Sequence, residues 1–275
     1  MARTVVEETL EERVLGIAAG ARRRRYLAVV VGWAGFLVLW YLVSEFLLNS
    51  VRLPQPQRVA REAWNIIRGV DGAFFPEFWA SIVRVFAGFI AAALIGTPLG
   101  FLMGRSEYWR NFFQAPVVVA GSVPGITYAV MSLVIFGISF FGPVLAVGLI
   151  SMPYVALNVS QGVAGVDRQL VAMSVAYGRS ERQIFRNVLL PSVLPFIFAG
   201  VRLSFSLAWK VGQLTEVFGA SRGIGFQIRR NFQLFRMAEL LAWVFLFIAF
   251  MLVLERQVLV RIERRLFRWR QWDTP

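Results

Sequence analysis

Residues 177–195 read YGRSERQIFRNVLLPSVLP, a polar, arginine-bearing stretch set between two long apolar runs. Its punctuation is dense. Asp167 is placed to cap a short helix over 168–177, and Gly178 suits a left-handed stop after it. Ser180, with Gln183 three residues on, forms a capping-box pattern that opens a second helix. Along it Ile184, Phe185, Val188 and Leu189 share one apolar stripe, while Glu181, Arg182, Arg186 and Asn187 point elsewhere. Pro191 is expected to end this second short helix and Pro195 to enter the next apolar run. By its residues alone, the stretch reads equally as an amphipathic loop resting on a membrane or as a stiff handle.

The flanks are built for lipid. Of the 275 residues, 57% are hydrophobic and 16% charged, and the mean hydropathy is +0.62. A soluble domain sits nearer about 45–50% apolar and about 25% charged. The net charge of +13 rests on arginine, with a single lysine, Lys210, in the chain. These arginines gather at the ends of apolar runs, which is a membrane-topology pattern and argues against nucleic acid. The chain has no Cys and no His, which excludes zinc sites, thiol nucleophiles, catalytic histidines and disulfides. It also lacks a phosphate-loop motif, so nucleotide energy would have to enter through another subunit. The acidic, polar opening, MARTVVEETLEERVLG, does not read as a cleavable signal peptide.

Six runs are long enough to span a bilayer: about 26–48, 78–104, 112–136, 140–163, 192–218 and 238–261. With both termini cytoplasmic, the inner side holds more than twice as many arginines as the outer, so that orientation is expected. The organisation expected is a cytoplasmic tail over 1–25, a membrane domain over 26–262 that includes the polar loop 165–191, and a basic cytoplasmic tail over 263–275. In that tail RIERRLFRWRQW interleaves Arg with Leu, Phe and Trp, as an interfacial basic helix does; an RNA-binding tail is the remote alternative.

Three further features bear on packing and function. Gly88, Ala92, Gly96, Gly100 and Gly104 form a stripe of small residues, suited to close helix packing within the chain or to a dimer seam. Gly121, Ser122, Val123, Pro124 and Gly125 interrupt the third run, either as a broken pore-lining helix or as a simple kink. In the fifth run Arg202, Ser206, Trp209, Lys210, Gln213 and Glu216 fall within about 120° at about 100° per residue. Lys210 lies about midway along that run. It either pairs with an acid of another helix or second copy, or lends positive potential to a path for small anions.

The stretch SVAYGRSERQIFRNVLLP resembles the signature loop of binding-protein-dependent ABC importer permeases. That pattern runs Glu-Ala-Ala, three residues, Gly, nine residues, then Ile-x-Leu-Pro. Here Gly178 and Val188-Leu189-Leu190-Pro191 keep the spacing, and Ala172-Met173-Ser174 stands in place of Glu-Ala-Ala. LPQPQRVAREAW, FWASIVRVFAGFIAAALIGTPLGFLMGRS and TEVFGASRGIGFQI are similar to segments of the nitrate, sulfonate and taurine subfamily. The resemblance implies an all-α integral membrane fold of six transmembrane helices, the type I importer fold of methionine-importer-like permeases, with cytoplasmic coupling helices. It implies a permease subunit in a bacterial cytoplasmic membrane, commonly paired with a second copy as a homodimer. Two cytoplasmic ATPases, carrying ATP and Mg, and a periplasmic or lipid-anchored solute-binding protein would complete the importer. The chain itself would be no enzyme and would hold no cofactor or metal. Gly178, Ser180, Glu181, Arg182, Ile184, Phe185 and Pro191 would couple to the ATPase. Ser122 and Pro124, with the six fifth-run residues, would line the path for a sulfonate, taurine, nitrate or bicarbonate. The rival class is an ATP-independent secondary transporter or channel, which suits an intramembrane lysine and broken spans but leaves the signature loop without a purpose.

Overall fold

The computed structural model describes residues 24, 27–48, 51–70, 74–259, 261 and 265. The basic C-terminal segment and most of the N-terminal tail expected above lie outside the described residues. The chain divides into two compact units, Met1–Glu62 and Ala63–Pro275.

In the first unit, α1 (Leu27–Leu47) is apolar on every side, with Val30, Val31 and Trp33 all largely exposed. A helix with no polar face belongs in hydrocarbon. Its last turn widens to a π-turn over Val43–Leu47. There the Ser44 hydroxyl donates to the Leu53 carbonyl (2.5 Å), which fixes the chain as it leaves the helix. Pro56 opens α2 (Pro56–Ile67), a position where its missing N–H costs nothing.

The second unit is a helical bundle: α3 (Phe74–Arg105), α4 (Glu107–Ser122), α5 (Gly125–Phe136), α6 (Phe141–Ala164), α7 (Arg168–Ala176), α8 (Glu181–Gly219), α9 (Ile224–Gln233) and α10 (Met237–Gln257). Five helices of the described chain are long and apolar enough to cross a membrane. A sixth span arises only if α4 and α5, bent by 92° at their junction, count together. The third expected run is therefore two helices meeting at a sharp break rather than one straight helix.

The small-residue stripe of α3 lies against α6. A Cβ added at Gly88 would stand 2.5 Å from the Val144 carbonyl oxygen, at Gly96 2.9 Å from that of Met152, and at Gly100 2.5 Å from that of Ala156. Partner and glycine advance together, so α3 and α6 run parallel, backbone to backbone. Of the two readings of the stripe, the contact within one chain holds. Dispersion between closely approached backbones is what joins apolar helices in lipid. By contrast α8 is antiparallel to both: Gly212 meets Val85, and Gly162 meets Phe196. Val85, Val147, Phe205, Ala208 and Trp209 fill the resulting core, with Phe86, Phe247 and Phe250 packed around them.

One expectation fails here. Pro191 does not end a short helix, because helix continues from Glu181 to Gly219. The turn over Phe185–Leu189 opens to π geometry, and the Leu190 N–H bonds the Phe185 carbonyl five residues back. Ser192 Oγ donates to the Val188 carbonyl at 2.7 Å. The widened turn relieves the clash a proline ring makes with the preceding turn, so the chain bends through rather than stopping.

Candidate functional site

The segment between α6 and α8 is closed by local hydrogen bonds at each corner. Asp167 caps α7, its carboxylate accepting from the Gln169 N–H at 2.7 Å. After α7 the Gly178 N–H bonds the Val175 carbonyl (2.9 Å) and the Arg179 N–H bonds that of Ser174 (3.1 Å). That pair is a Schellman motif, and it needs the left-handed residue it has, Gly178 at φ 69°. Ser180 and Gln183 then form the full capping box, each side chain bonding the other's backbone N–H at 3.4 and 3.0 Å. Two helices are thereby joined by a turn with little freedom. Leu170, Met173 and Tyr177 share one exposed face of α7, Tyr177 at 78%. Ser180, Glu181, Arg182 and Phe185 are exposed as well. Ile184 is turned inward and buried within the chain, where it anchors the start of α8. Phe185 also touches the Phe101 ring, tying the handle to α3.

The second feature is the α4–α5 break. Val123 and Pro124 are extended (ψ 127° and 138°), as a residue before proline and the proline itself prefer. Carbonyls released at the break find hydroxyls: Tyr128 donates to Ala120 at 2.8 Å and Tyr154 to Gly121 at 3.4 Å. Ser122 and Pro124 face outward from the chain. Gly125 packs so closely on α8 that an added Cβ would lie 2.9 Å from Val211 Cγ2. The break therefore abuts the residue next to Lys210.

The fifth-run constellation divides. Trp209, Gln213 and Glu216 are buried within the chain, whereas Lys210 is exposed and Arg202 and Ser206 are half-buried. Glu216 lies about 120° from Lys210 around the helix, enough to put the two on different faces. It joins a cluster that the sequence reading did not assemble. Glu216 accepts from Ser81 Oγ (2.7 Å), Arg84 Nη1 (3.1 Å) and the Gly225 N–H (3.1 Å). The Ile224 N–H donates to Ser81 Oγ at 2.9 Å, and the Gly223 N–H donates to Glu77. Three consecutive N–H groups at the start of α9 are thus satisfied by side chains of α3 and α8. Gly223 (φ 118°) has no room for a side chain, because Glu216 fills the space. Three ionisable residues, Arg84 and Glu216 within apolar runs and Glu77 at the edge of one, were the available signal that such a cluster exists.

The family described as "Binding-protein-dependent transport system inner membrane component" matches residues 96–268. The chain belongs to that family. The chain is similar to the taurine transport system permease TauC of Escherichia coli K12, 29% identical over 86% of this chain and 87% of the relative. The putative aliphatic sulfonates transport permease SsuC of Bacillus subtilis 168 is 26% identical over 90% of each. The nitrate import permease NrtB of Leptolyngbya laminosa is 26% identical over 78% of each. Among solved structures, the inward-facing MetNI methionine ABC transporter matches with a TM-score of 0.60 at 20% identity, over 74% of this chain and 96% of that one. The fold is that of the methionine importer's permease, and the chain is an inner-membrane permease component of the ABC importer class.

Proposed function

We propose that two copies of this permease form the path of an ATP-driven importer for a small anion. Hydrolysis, with its ATP and Mg, takes place on two separate cytoplasmic ATPase subunits, and solute arrives from an external binding protein. The permease itself performs no covalent chemistry. Both termini and the α7–α8 turn face the cytoplasm. The observation that carries this reading is the handle itself: α7 and the start of α8, locked by a Schellman motif and a capping box, expose Leu170, Met173 and Tyr177 on a protein without a phosphate loop. A rigid element with an exposed apolar face suits a motor that must move α8 as a unit. Along it Gly178 supplies the turn, Ser180 the cap, Glu181, Arg182 and Phe185 the contact surface, and Pro191 the bend into the span. The taurine, sulfonate and nitrate relatives favour the anion class. Nucleotide would close the ATPase pair and shift the permeases toward the outward-facing state.

Affinity purification of the tagged chain from solubilised membranes, with partners identified by mass spectrometry, tests this reading. Recovery of an ATPase with a phosphate loop supports it, and ligands of a co-purifying binding protein then name the solute. Recovery of the chain alone, transporting without ATP, replaces it with a secondary transporter.

A further inference from the structure

We infer that Lys210 is an anion-selecting residue of the permease, holding a small anion such as a sulfonate or nitrate within the path by direct charge. The inference rests on the two-copy path proposed above. Phe196, Ala199, Leu203, Ser206, Lys210 and Leu214 follow one another at three- and four-residue steps along α8, all exposed or half-exposed, while Ala208, Trp209, Val211 and Gly212 between them are buried. One face of α8 is thus left uncovered by its own chain. In a bilayer-length stretch of about 20 residues ending at Gly219, Lys210 falls at the centre. The α4–α5 break, with exposed Ser122 and Pro124, packs through Gly125 on Val211, the residue next to Lys210.

Among the described residues no carboxylate lies within 4.0 Å of Lys210, and the buried ion pair made by this helix is Arg84–Glu216. Glu216, the carboxylate nearest along the helix, lies about 120° around it and is already bonded by Arg84, Ser81 and Gly225. α5 and α6, which pack on α8, contain no acidic residue, and Lys210 is the one charged residue on the uncovered face of α8. In the two-copy path proposed above, two Lys210 ammonium groups would face one passage, with a mobile anion as their partner. An ion held by exchangeable charge rather than a closed cage can also leave, as conduction requires.

Lys210 is the only lysine in the chain, so its amine can be read chemically without engineering. The complex as purified, in lipid nanodiscs and a gluconate background, is treated with the membrane-impermeant acylating reagent sulfo-N-hydroxysuccinimide acetate. Acetylation of the peptide bearing Lys210 is followed by mass spectrometry, with the terminal amine as internal reference. Lys210 is expected to be acetylated. Methanesulfonate should slow this roughly tenfold at ten times its half-protecting concentration, as mass action requires, whereas neutral dimethyl sulfone should not. No acetylation with and without nucleotide, or acetylation indifferent to methanesulfonate, overturns the inference. Because the readout is on this chain, it stands whether or not an ATPase co-purifies. In ATP-loaded vesicles, Lys210→Gln should lose discrimination between methanesulfonate and dimethyl sulfone, and Lys210→Arg should retain it.

Discussion

Arg84 of α3 and Glu216 of α8, 132 positions apart, meet at 3.1 Å with both side chains almost fully buried. The same Arg84 Nη1 donates to the Arg222 carbonyl at 2.6 Å, so one guanidinium holds a span and the turn that follows it.

Removing one member of that pair strands the other. Arg84→Ala is expected to destabilise the bundle by about 3–5 kcal/mol, since it leaves a buried carboxylate uncompensated. Arg84→Met combined with Glu216→Leu should recover much of that loss. Thermal unfolding of the three proteins in the same detergent measures it; a double variant no better than the single would show that the backbone N–H groups of α9, rather than the charge, set the cost.

The contact between α3 and α6 tolerates no side chain. Gly100→Ala would push a methyl against the Ala156 carbonyl and Val159, and is expected to cost about 1–3 kcal/mol. Gly32→Ala on α1, where nothing lies within 4 Å, is expected to be neutral or slightly stabilising. The melting temperatures of the two variants should move apart accordingly.

At the handle, Ser180→Ala removes one half of the capping box at about 1 kcal/mol. The bundle should survive this, because the box lies outside its core. Transported solute per ATP should fall while hydrolysis persists, and the paired change Glu181→Ala with Phe185→Ala should uncouple the two further. Reconstituted vesicles with both activities assayed give the ratio; an unaltered ratio would remove this segment from the coupling path.

The bend at Pro124 is open to distance measurement, since the chain has no cysteine to interfere. Spin labels at exposed positions 119 and 134 would be separated by about 22 Å along a straight helix, and by less across a right-angled break. Pro124→Ala should lengthen that distance if the proline holds the break. An unchanged distance would assign the bend to the packing of Tyr128 and Gly125 on α8 instead.

Much of the handle was legible beforehand. Asp167, Gly178 and the Ser180–Gln183 box act over two to five residues, a range that linear spacing describes completely, and each bond forms as the pattern implies. The course of the chain past Pro191 was not legible, because a proline can be absorbed by a π-turn, and that depends on what Phe185 and Ile184 pack against. The fifth span shows the same limit. Angular position placed Trp209, Lys210, Gln213 and Glu216 together, but it does not say where neighbouring helices lie.

The sequence by itself determined membrane-spanning helices, an interruption in the third run and a capped handle, since apolar length, proline and capping are local properties; the permease reading came from the resemblance of its signature loop. Only the tertiary structure decided that the glycine stripe faces α6, that Glu216 is consumed by Arg84 and α9, and that Lys210 stays exposed while Gln213 and Glu216 are buried. These outcomes follow from contacts between different helices, most of them far apart in the chain, and in a low-dielectric interior such contacts determine which polar groups find partners and which remain exposed.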